Sequence, residues 1–206
     1  MRTFTARLVD DGCVENNAFQ DHCTVLDIER DSIGRLVGGR VVVSDAPARL
    51  SDLVPLARAL ATRINLDTVE RANSEGLNVP CQKGCAACCK YMVPLSVPEA
   101  LCMGQEIGYL SGRCDATVAR ALTASAKRIM EAWPDYSLPE TDPDDNGDAS
   151  ATESVGRWYD GLNLTCPFIS DSACTIYEKR PIACREHSML GSAGHCEGFH
   201  PDRGSR

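Results

Sequence analysis

Cys81-Gln82-Lys83-Gly84-Cys85-Ala86-Ala87-Cys88-Cys89 packs four thiols into nine residues. A second set follows downstream: Cys166, Cys174, Cys184 and Cys196, separated by 7, 9 and 11 residues. Eight of the 12 cysteines in the chain fall in these two blocks. Clustered thiolates are soft ligands that suit iron–sulfur clusters, zinc or copper(I). The blocks therefore predict a domain organised around metal–sulfur bonds, attached to whatever ordinary core the rest of the chain can build.

The spacing constrains that metal. Drawn as a helix, offsets 0, 4, 7 and 8 lie within roughly 100° of arc, yet Cys81 and Cys89 stand roughly 12 Å apart along the axis. A single ion with ligands at about 2.3 Å cannot reach both ends. Either the chain loops near Gly84, or the stripe serves more than one metal, or it serves a polynuclear cluster. Adjacent side chains such as Cys88 and Cys89 diverge on a regular backbone and suit different metal atoms. Zinc ribbons favour paired knuckles, and only Cys85–Cys88 has a two-residue gap. Iron–sulfur ligation tolerates one close-spaced group plus remote cysteines. An iron–sulfur cluster is the expected cofactor and zinc the alternative. The eight cysteines suffice for two four-thiolate sites or one larger site. Cys13, Cys23, Cys102 and Cys114 read as small buried hydrophobes. His22, His187, His195 and His200 are further possible ligands. His187 and His195 flank the second block, although hydrogen-bonding or surface roles are the plainer reading.

Composition narrows the class. The chain has 206 residues, 43% of them hydrophobic but only 5% aromatic, and a net charge of −8. That is enough for a core built on Ala, Val, Leu and Ile. The acidic balance argues against general nucleic-acid binding and against attraction to anionic membranes. Met1 to Ala6-Arg7 is followed by no apolar run of the roughly 7–15 residues a secretory signal needs. No stretch approaches the ~18 apolar residues of a membrane span. The expected location is cytoplasmic, where thiols stay reduced and dense cysteines favour metal over disulfides.

The fold class expected is α+β, mainly helical. Residues 1–76 form a small N-terminal antiparallel sheet plus helix. Thr3–Val9, His22–Glu29 and Arg40–Ser44 read as strands, with Gly34, Gly38 and Gly39 as turns and Val37-Gly38-Gly39-Arg40 as a hairpin turn. Ser51 to about Ser74 reads as a helix with Leu53, Leu56, Ala57, Leu60, Ile64 and Val69 mostly on one face and a stop at Gly76. Residues 77–200 form the cysteine-ligated metal-binding helical domain. Within it, Ser96-Val97-Pro98-Glu99 is a capping box opening a helix to about Leu110. A second helix runs from about Asp115 to Trp133, with Val118, Leu122, Ile129 and Met130 on its apolar side. Residues 134–154 are acidic, carry no Lys or Arg and read as a solvated loop or insertion. A calcium loop over Asp142–Asp148 lacks the ligand spacing of an EF-hand. Thr175-Ile176-Tyr177-Glu178 predicts a short helix to about Cys184, broken by Pro181. Residues 201–206 are a tail.

Cys81-Gln-Lys-Gly-Cys85-Ala-Ala-Cys88-Cys89, with Val93-Pro94-Leu95-Ser96 and Glu99, resembles the head motif of the cysteine-cluster proteins described as zinc- or iron-chelating. Cys166-Pro167-Phe168-Ile169, Cys174-Thr175-Ile176-Tyr177-Glu178, Arg180-Pro181 and Cys184-Arg185 resemble that family's tail signature. The resemblance covers roughly residues 81–196. The family is widespread in bacteria, and one branch includes flagellin lysine methylases that need an iron–sulfur cluster. The resemblance thus implies metal binding first and a reaction second. No glycine-rich strand–turn–helix fingerprint for an adenosine cofactor accompanies it.

Arg180 and Arg185 are candidates to offset thiolate charge, to donate hydrogen bonds to sulfur or to hold a carboxylate substrate. An ordinary surface ion pair is the equal alternative for each. Pro167 fixes the chain after Cys166, and Ile176 and Tyr177 pack the short helix onto the site. The leading functional expectation is a metalloenzyme acting on a peptide, protein or small molecule, with an exposed sheet edge able to receive an extended peptide. The alternatives are an electron-transfer or metal-handling protein, or a structural zinc module for protein interaction.

Overall fold

The computed structural model describes residues 6–9, 23–32, 35–133 and 148–196. The protein is mainly helical α+β. Its chain divides into two compact units. The first comprises Met1–Asn78, Leu95–Glu106 and Arg180–Ser188, and the second Val79–Pro94, Ile107–Lys179 and Met189–Arg206.

The first unit opens with strands β1 (Ala6–Val9), β2 (Cys23–Ser32) and β3 (Arg35–Ser44), an antiparallel sheet in the order β1-β3-β2. Pairing runs from Ala6↔Val43 to Val9↔Arg40 on one side of β3 and from Cys23↔Ser44 to Ser32↔Arg35 on the other. Because strand positions alternate between faces, this register puts residues 8, 26, 28, 37, 41 and 43, all Leu, Ile or Val, on one face. Val41 is completely buried there.

Helix α1 (Val54–Ser74) packs against β1 and follows a 3₁₀ turn at Leu50–Leu53. It stops at Gly76, whose φ of +79° is left-handed, and the Leu77 amide donates back to the Ala72 carbonyl at 2.9 Å. This is the ending that a glycine beyond the last turn permits. The deepest line along α1 is Val54, Arg58 and Ala61, whereas the expected stripe of Leu56, Ala57, Leu60, Ile64 and Val69 is only half-buried and Leu53 is exposed. The reason is Arg58. Its Nη1 donates to both carboxylate oxygens of Glu106, at 2.9 and 2.8 Å, from a side chain 6% exposed. Among the described residues Nε and Nη2 find no hydrogen-bond partner, so Glu106 is the countercharge shown for this buried cation.

Glu106 ends helix α2 (Val97–Glu106). The Ser96–Glu99 capping box is formed: the Glu99 amide donates to Ser96 Oγ at 3.4 Å and the Ser96 amide to Glu99 Oε2 at 3.3 Å. Glu99 is buried, and its other oxygen accepts the Ile182 amide at 3.0 Å. Ile182 opens helix α5 (Ile182–Glu186), so one carboxylate satisfies orphan amides at two helix starts. Arg185 of α5 is buried, with Nη1 donating to Thr62 of α1 at 2.9 Å and Nε to the Arg180 carbonyl at 3.1 Å. Cys102 of α2 is buried beside this network. Burial, and then the Glu106 carboxylate, push its thiol pKa up. It is thus an inert core residue, as free cysteine usually is.

The second unit holds helices α3 (Ala116–Ala132) and α4 (Asp148–Gly161), then a two-strand hairpin, β4 (Ile169–Ser170) and β5 (Ala173–Cys174). Asp115 caps α3, accepting the Thr117 and Val118 amides at 2.8 and 3.2 Å. Those bonds, the one from Val118 foremost, hold the carboxyl pKa below its ordinary value. No residue of α3 is buried. Trp133 and Trp158 meet edge to face, centroids 5.3 Å apart.

Several sequence expectations require correction. Gly38 and Gly39 are not turns. They lie inside β3, opposite Glu29 and Ile28, because a ten-residue partner strand carries the ladder through them. Gly34 and Thr3–Thr5 lie outside the described residues. Helix α2 ends at Glu106 rather than near Leu110. Gly108 has a φ of +74°, and a β-carbon there would stand 3.0 Å from the Arg113 carbonyl carbon, so the turn requires glycine. Residues 148–154, expected in the acidic loop, form the first half of α4, which is braced by the Glu153–Arg157 pair and by Trp158 against Trp133. Residues 134–147, and with them most of the calcium-loop alternative, lie outside the described residues. Thr175–Glu178 does not open a continuous helix. The Thr175 hydroxyl donates to the Phe168 carbonyl across the hairpin, leaving a 3₁₀ turn at Tyr177–Lys179 before α5. No helix among the described residues is long and apolar enough to cross a membrane.

Candidate metal centre

The first cysteine block is a loop and not a helix. Gly84 has a φ of +96°, which glycine adopts without steric cost. Successive turns then close through Cys85 N–H to Gln82 O, Cys89 N–H to Ala86 O and Tyr91 N–H to Cys88 O, at 3.0–3.1 Å. This curls Cys85, Cys88 and Cys89 into one compact segment instead of stringing them along an axis.

The second block joins it through the backbone. The Cys166 amide donates to the Cys89 carbonyl at 2.7 Å. From there the chain enters the β4–β5 hairpin, which turns at Asp171 and Ser172 with φ of +50° and +61°. Such a two-residue turn matches the twist of the strands. The hairpin places Cys174 opposite Ile169, and the Thr175 amide donates to the Phe168 carbonyl at 2.9 Å. Cys174 is thereby folded back toward Cys166. On the solvent side, Lys83 pairs with Glu178 at 2.9 Å and sits over the Tyr177 ring at 5.3 Å. Both charges are largely exposed, so this pair adds little stability.

The sulfur atoms sense one another. The Cys89 thiol is hydrogen-bonded to Cys88, and this bond does most to raise its pKa far above the ordinary thiol range. Burial adds to the shift, as do the nearby sulfurs of Cys88, Cys166 and Cys174. Burial also raises the Cys166 pKa, opposed by the Phe168 amide and reinforced by Cys174 and Cys88. Cys88, Cys89, Cys166 and Cys174, drawn from both blocks, therefore share one half-buried neighbourhood. Tyr159, in the last turn of α4, borders it: burial and then Cys166 raise its phenol pKa. Tyr159 and the Phe168 amide had no spacing signal in the sequence, since a helix and a hairpin bring them there.

The remaining predicted ligands are placed differently. Cys81 is exposed, and its sulfur accepts the Met189 amide at 3.2 Å. Cys196 is 3% exposed, and its carbonyl accepts the Tyr91 hydroxyl. These two bonds tie residues 189–196 to the first block within the second unit. Cys184 and Arg185 lie on α5 in the first unit, which also holds Arg180, just before that helix, and His187, just after it. Cys114 is half-buried just before α3. The side chains of Cys13, Cys23, His22, His195 and His200 lie outside the described set. None of the ten described cysteines forms a disulfide.

Among the described residues, no three His, Cys, Asp or Glu side chains stand close enough to hold a metal ion as they are. Binding would have to draw the thiols inward and replace the Cys88–Cys89 hydrogen bond with metal–sulfur bonds. The donor chemistry fits such a group. The four side chains that converge are all sulfur, carried by a loop and by a hairpin with its approach. Backbone amides at Phe168 and Met189 are directed at Cys166 and Cys81, the outer donors that orient and stabilise thiolate ligands. Searches against protein-family models, curated proteins and solved structures find no match for this chain.

Proposed function

We propose that the second unit is a thiolate-metal centre, with an iron–sulfur cluster as its cofactor, in a metalloenzyme acting on a peptide, protein or small molecule. The observation that carries this reading is the convergence of Cys88, Cys89, Cys166 and Cys174 from blocks 77 residues apart, 89 to 166, across one backbone hydrogen bond. Cys81, Cys85 and Cys196 in the same unit complete the ligand set proposed for it, and Cys184 belongs to the first unit. The resemblance of residues 81–99 and 166–185 to cysteine-cluster proteins points the same way. A bound cluster would supply an electrophilic or redox-active iron. The chain's own part is to hold the sulfurs, aim the Phe168 and Met189 amides at them and keep the Tyr159 phenol protonated beside them. A reducing compartment such as the cytoplasm would keep the thiols available for metal.

A structural zinc module is the second reading, favoured by the thin apolar interior of the second unit. Apart from Cys196, the buried residues among those described lie in the first unit. Iron, acid-labile sulfide and zinc per chain, with an absorption spectrum, on protein purified without oxygen, separate the two. Iron and sulfide with a broad visible band are expected. Zinc alone, colourless and without sulfide, would retire the redox chemistry and leave the structural module.

A further inference from the structure

The backbone bond that brings the two cysteine blocks together also sets two thiols at disulfide range. The Cys166 amide donates to the Cys89 carbonyl at 2.7 Å. Such a bond holds the two Cα atoms about 5–6 Å apart, as in a hydrogen-bonded strand pair. A disulfide spans Cα separations of about 4.4–6.8 Å. The sulfurs are neighbours as well, since Cys166 acts electrostatically on the Cys89 thiol. Both residues are half-buried, so neither is sealed from a small oxidant, and both belong to the second unit.

The adjoining thiols are worse partners for a cross-link. Cys88 and Cys89 share a hydrogen bond. Their Cα atoms, however, are one peptide apart, about 3.8 Å, which is below the disulfide range. Cys174 is paired across the hairpin with Ile169, and the next amide, Thr175, donates to the Phe168 carbonyl at 2.9 Å. Its backbone is therefore registered with residues beyond Cys166 rather than with Cys166 itself.

We propose that Cys89 and Cys166 close a reversible disulfide when the centre lacks metal, so that an oxidant shuts the site and a thiol reductant reopens it. The regulatory meaning rests on the thiolate-metal reading, because the same two sulfurs serve there as ligands. Each thiol gives up its hydrogen, and one S–S bond forms between them. The two electrons and two protons pass to a small disulfide such as oxidised glutathione, which leaves as two thiols. The reverse exchange restores both cysteines. A metal takes thiolate, and a sulfur held in a disulfide offers none, so the two states exclude one another. Both states tie together residues 77 positions apart, 89 to 166, and a cross-link over a long loop constrains the unfolded chain strongly. The second unit, with little buried apolar interior among its described residues, is thus held closed in either state.

The test uses the full chain purified without oxygen, exposed to oxidised glutathione with or without a strong chelator and then quenched in acid. The expected product of the chelator-treated chain is one intramolecular cross-link between tryptic peptides 84–90 and 158–179, read by mass spectrometry. It is lost in Cys89→Ser and in Cys166→Ser, and it persists in Cys88→Ser and in Cys174→Ser. The cross-linked chain loses its uptake of iron and zinc, and dithiothreitol restores that uptake. A mixture of pairings, a Cys88–Cys89 or Cys166–Cys174 bond as the main product, or equal cross-linking of a metal-loaded chain with and without chelator each overturns the proposal. A chain that carries no metal as isolated, yet closes this one bond, refutes the metal centre and not the disulfide. A chain that carries metal and closes no such bond does the reverse.

Discussion

The helix at residues 54–74 and the loop at residues 81–89 are neighbours in sequence but bury their side chains by different means. Around the helix, apolar residues and hydrogen-bonded charges close a core: Val41, Val54, Ala61 and Met103 are buried together with Arg58, Glu99 and Arg185. Around the loop no residue is fully buried, the half-buried ones being Cys85, Ala86, Ala87, Cys88 and Cys89, and the long helix α3 buries nothing. A small apolar core stabilises only weakly, and cross-links or metals commonly make up the difference. The contrast teaches that the first unit specifies itself by packing and caps, while the second has little buried apolar interior among its described residues, which is what the proposed metal would offset.

The sharpest way to break this comparison is Cys88→Ser. Metal binding to structural thiolates contributes on the order of 10 kcal/mol to folding. Metal per chain should therefore fall, and amide exchange in residues 81–94 and 166–176 should accelerate, while α1 and α2 keep their protection. Full occupancy and unchanged exchange in the variant would sink the shared-site argument.

The next effect belongs to the first unit. Glu106→Gln removes the countercharge of a guanidinium whose side chain is 6% exposed, and breaking one partner of a buried pair costs about 3 kcal/mol or more. The urea midpoint should drop accordingly. The double variant Arg58→Met with Glu106→Gln should recover most of the loss. If it does not, the pair contributes more than mutual compensation.

Glu99→Ala should cost about 2 kcal/mol, the range for hydrogen bonds to a charged acceptor. Glu99 serves Ser96 and the Ile182 amide, so faster exchange should appear at the starts of both α2 and α5. A loss confined to α2 would show that the Ile182 contact is dispensable.

The smallest effect is at Asp115, an exposed cap. Its folded pKa is depressed by the Val118 and Thr117 amides. A depressed carboxylate stabilises the folded state fully above its unfolded pKa of about 3.9, and the contribution is lost as pH falls through the folded value. Protection of the amides at the start of α3, relative to their intrinsic exchange rates, should fall on acidification below about pH 4. In Asp115→Ala that protection should be lower at neutral pH and lack the acid step.

What was legible in the sequence had short range. The Ser96–Glu99 box, the Asp115 start and the Gly76 stop each depend on a few neighbouring residues, and each is formed. Thr175–Glu178 has the same pattern but sits beside a hairpin, and the Phe168 carbonyl captured its hydroxyl. Gly38 and Gly39 have turn composition, yet a ten-residue partner strand carried them as strand. The acidic sequence at 148–154 reads as loop, yet α4 forms there and brings Trp158 onto Trp133.

The sequence by itself determined that sulfur would dominate one part of the molecule, because cysteine density needs no neighbours to be read. It also determined where α2 and α3 start, since their caps are local hydrogen bonds. Only the tertiary structure decided which thiols meet. Cys166 and Cys174 reach Cys88 and Cys89 through the Cys89–Cys166 backbone bond and the Asp171–Ser172 turn, and no spacing rule encodes either. Only the tertiary structure gave Arg58 its burial, because a cation leaves water when a carboxylate 48 residues away is positioned to receive it.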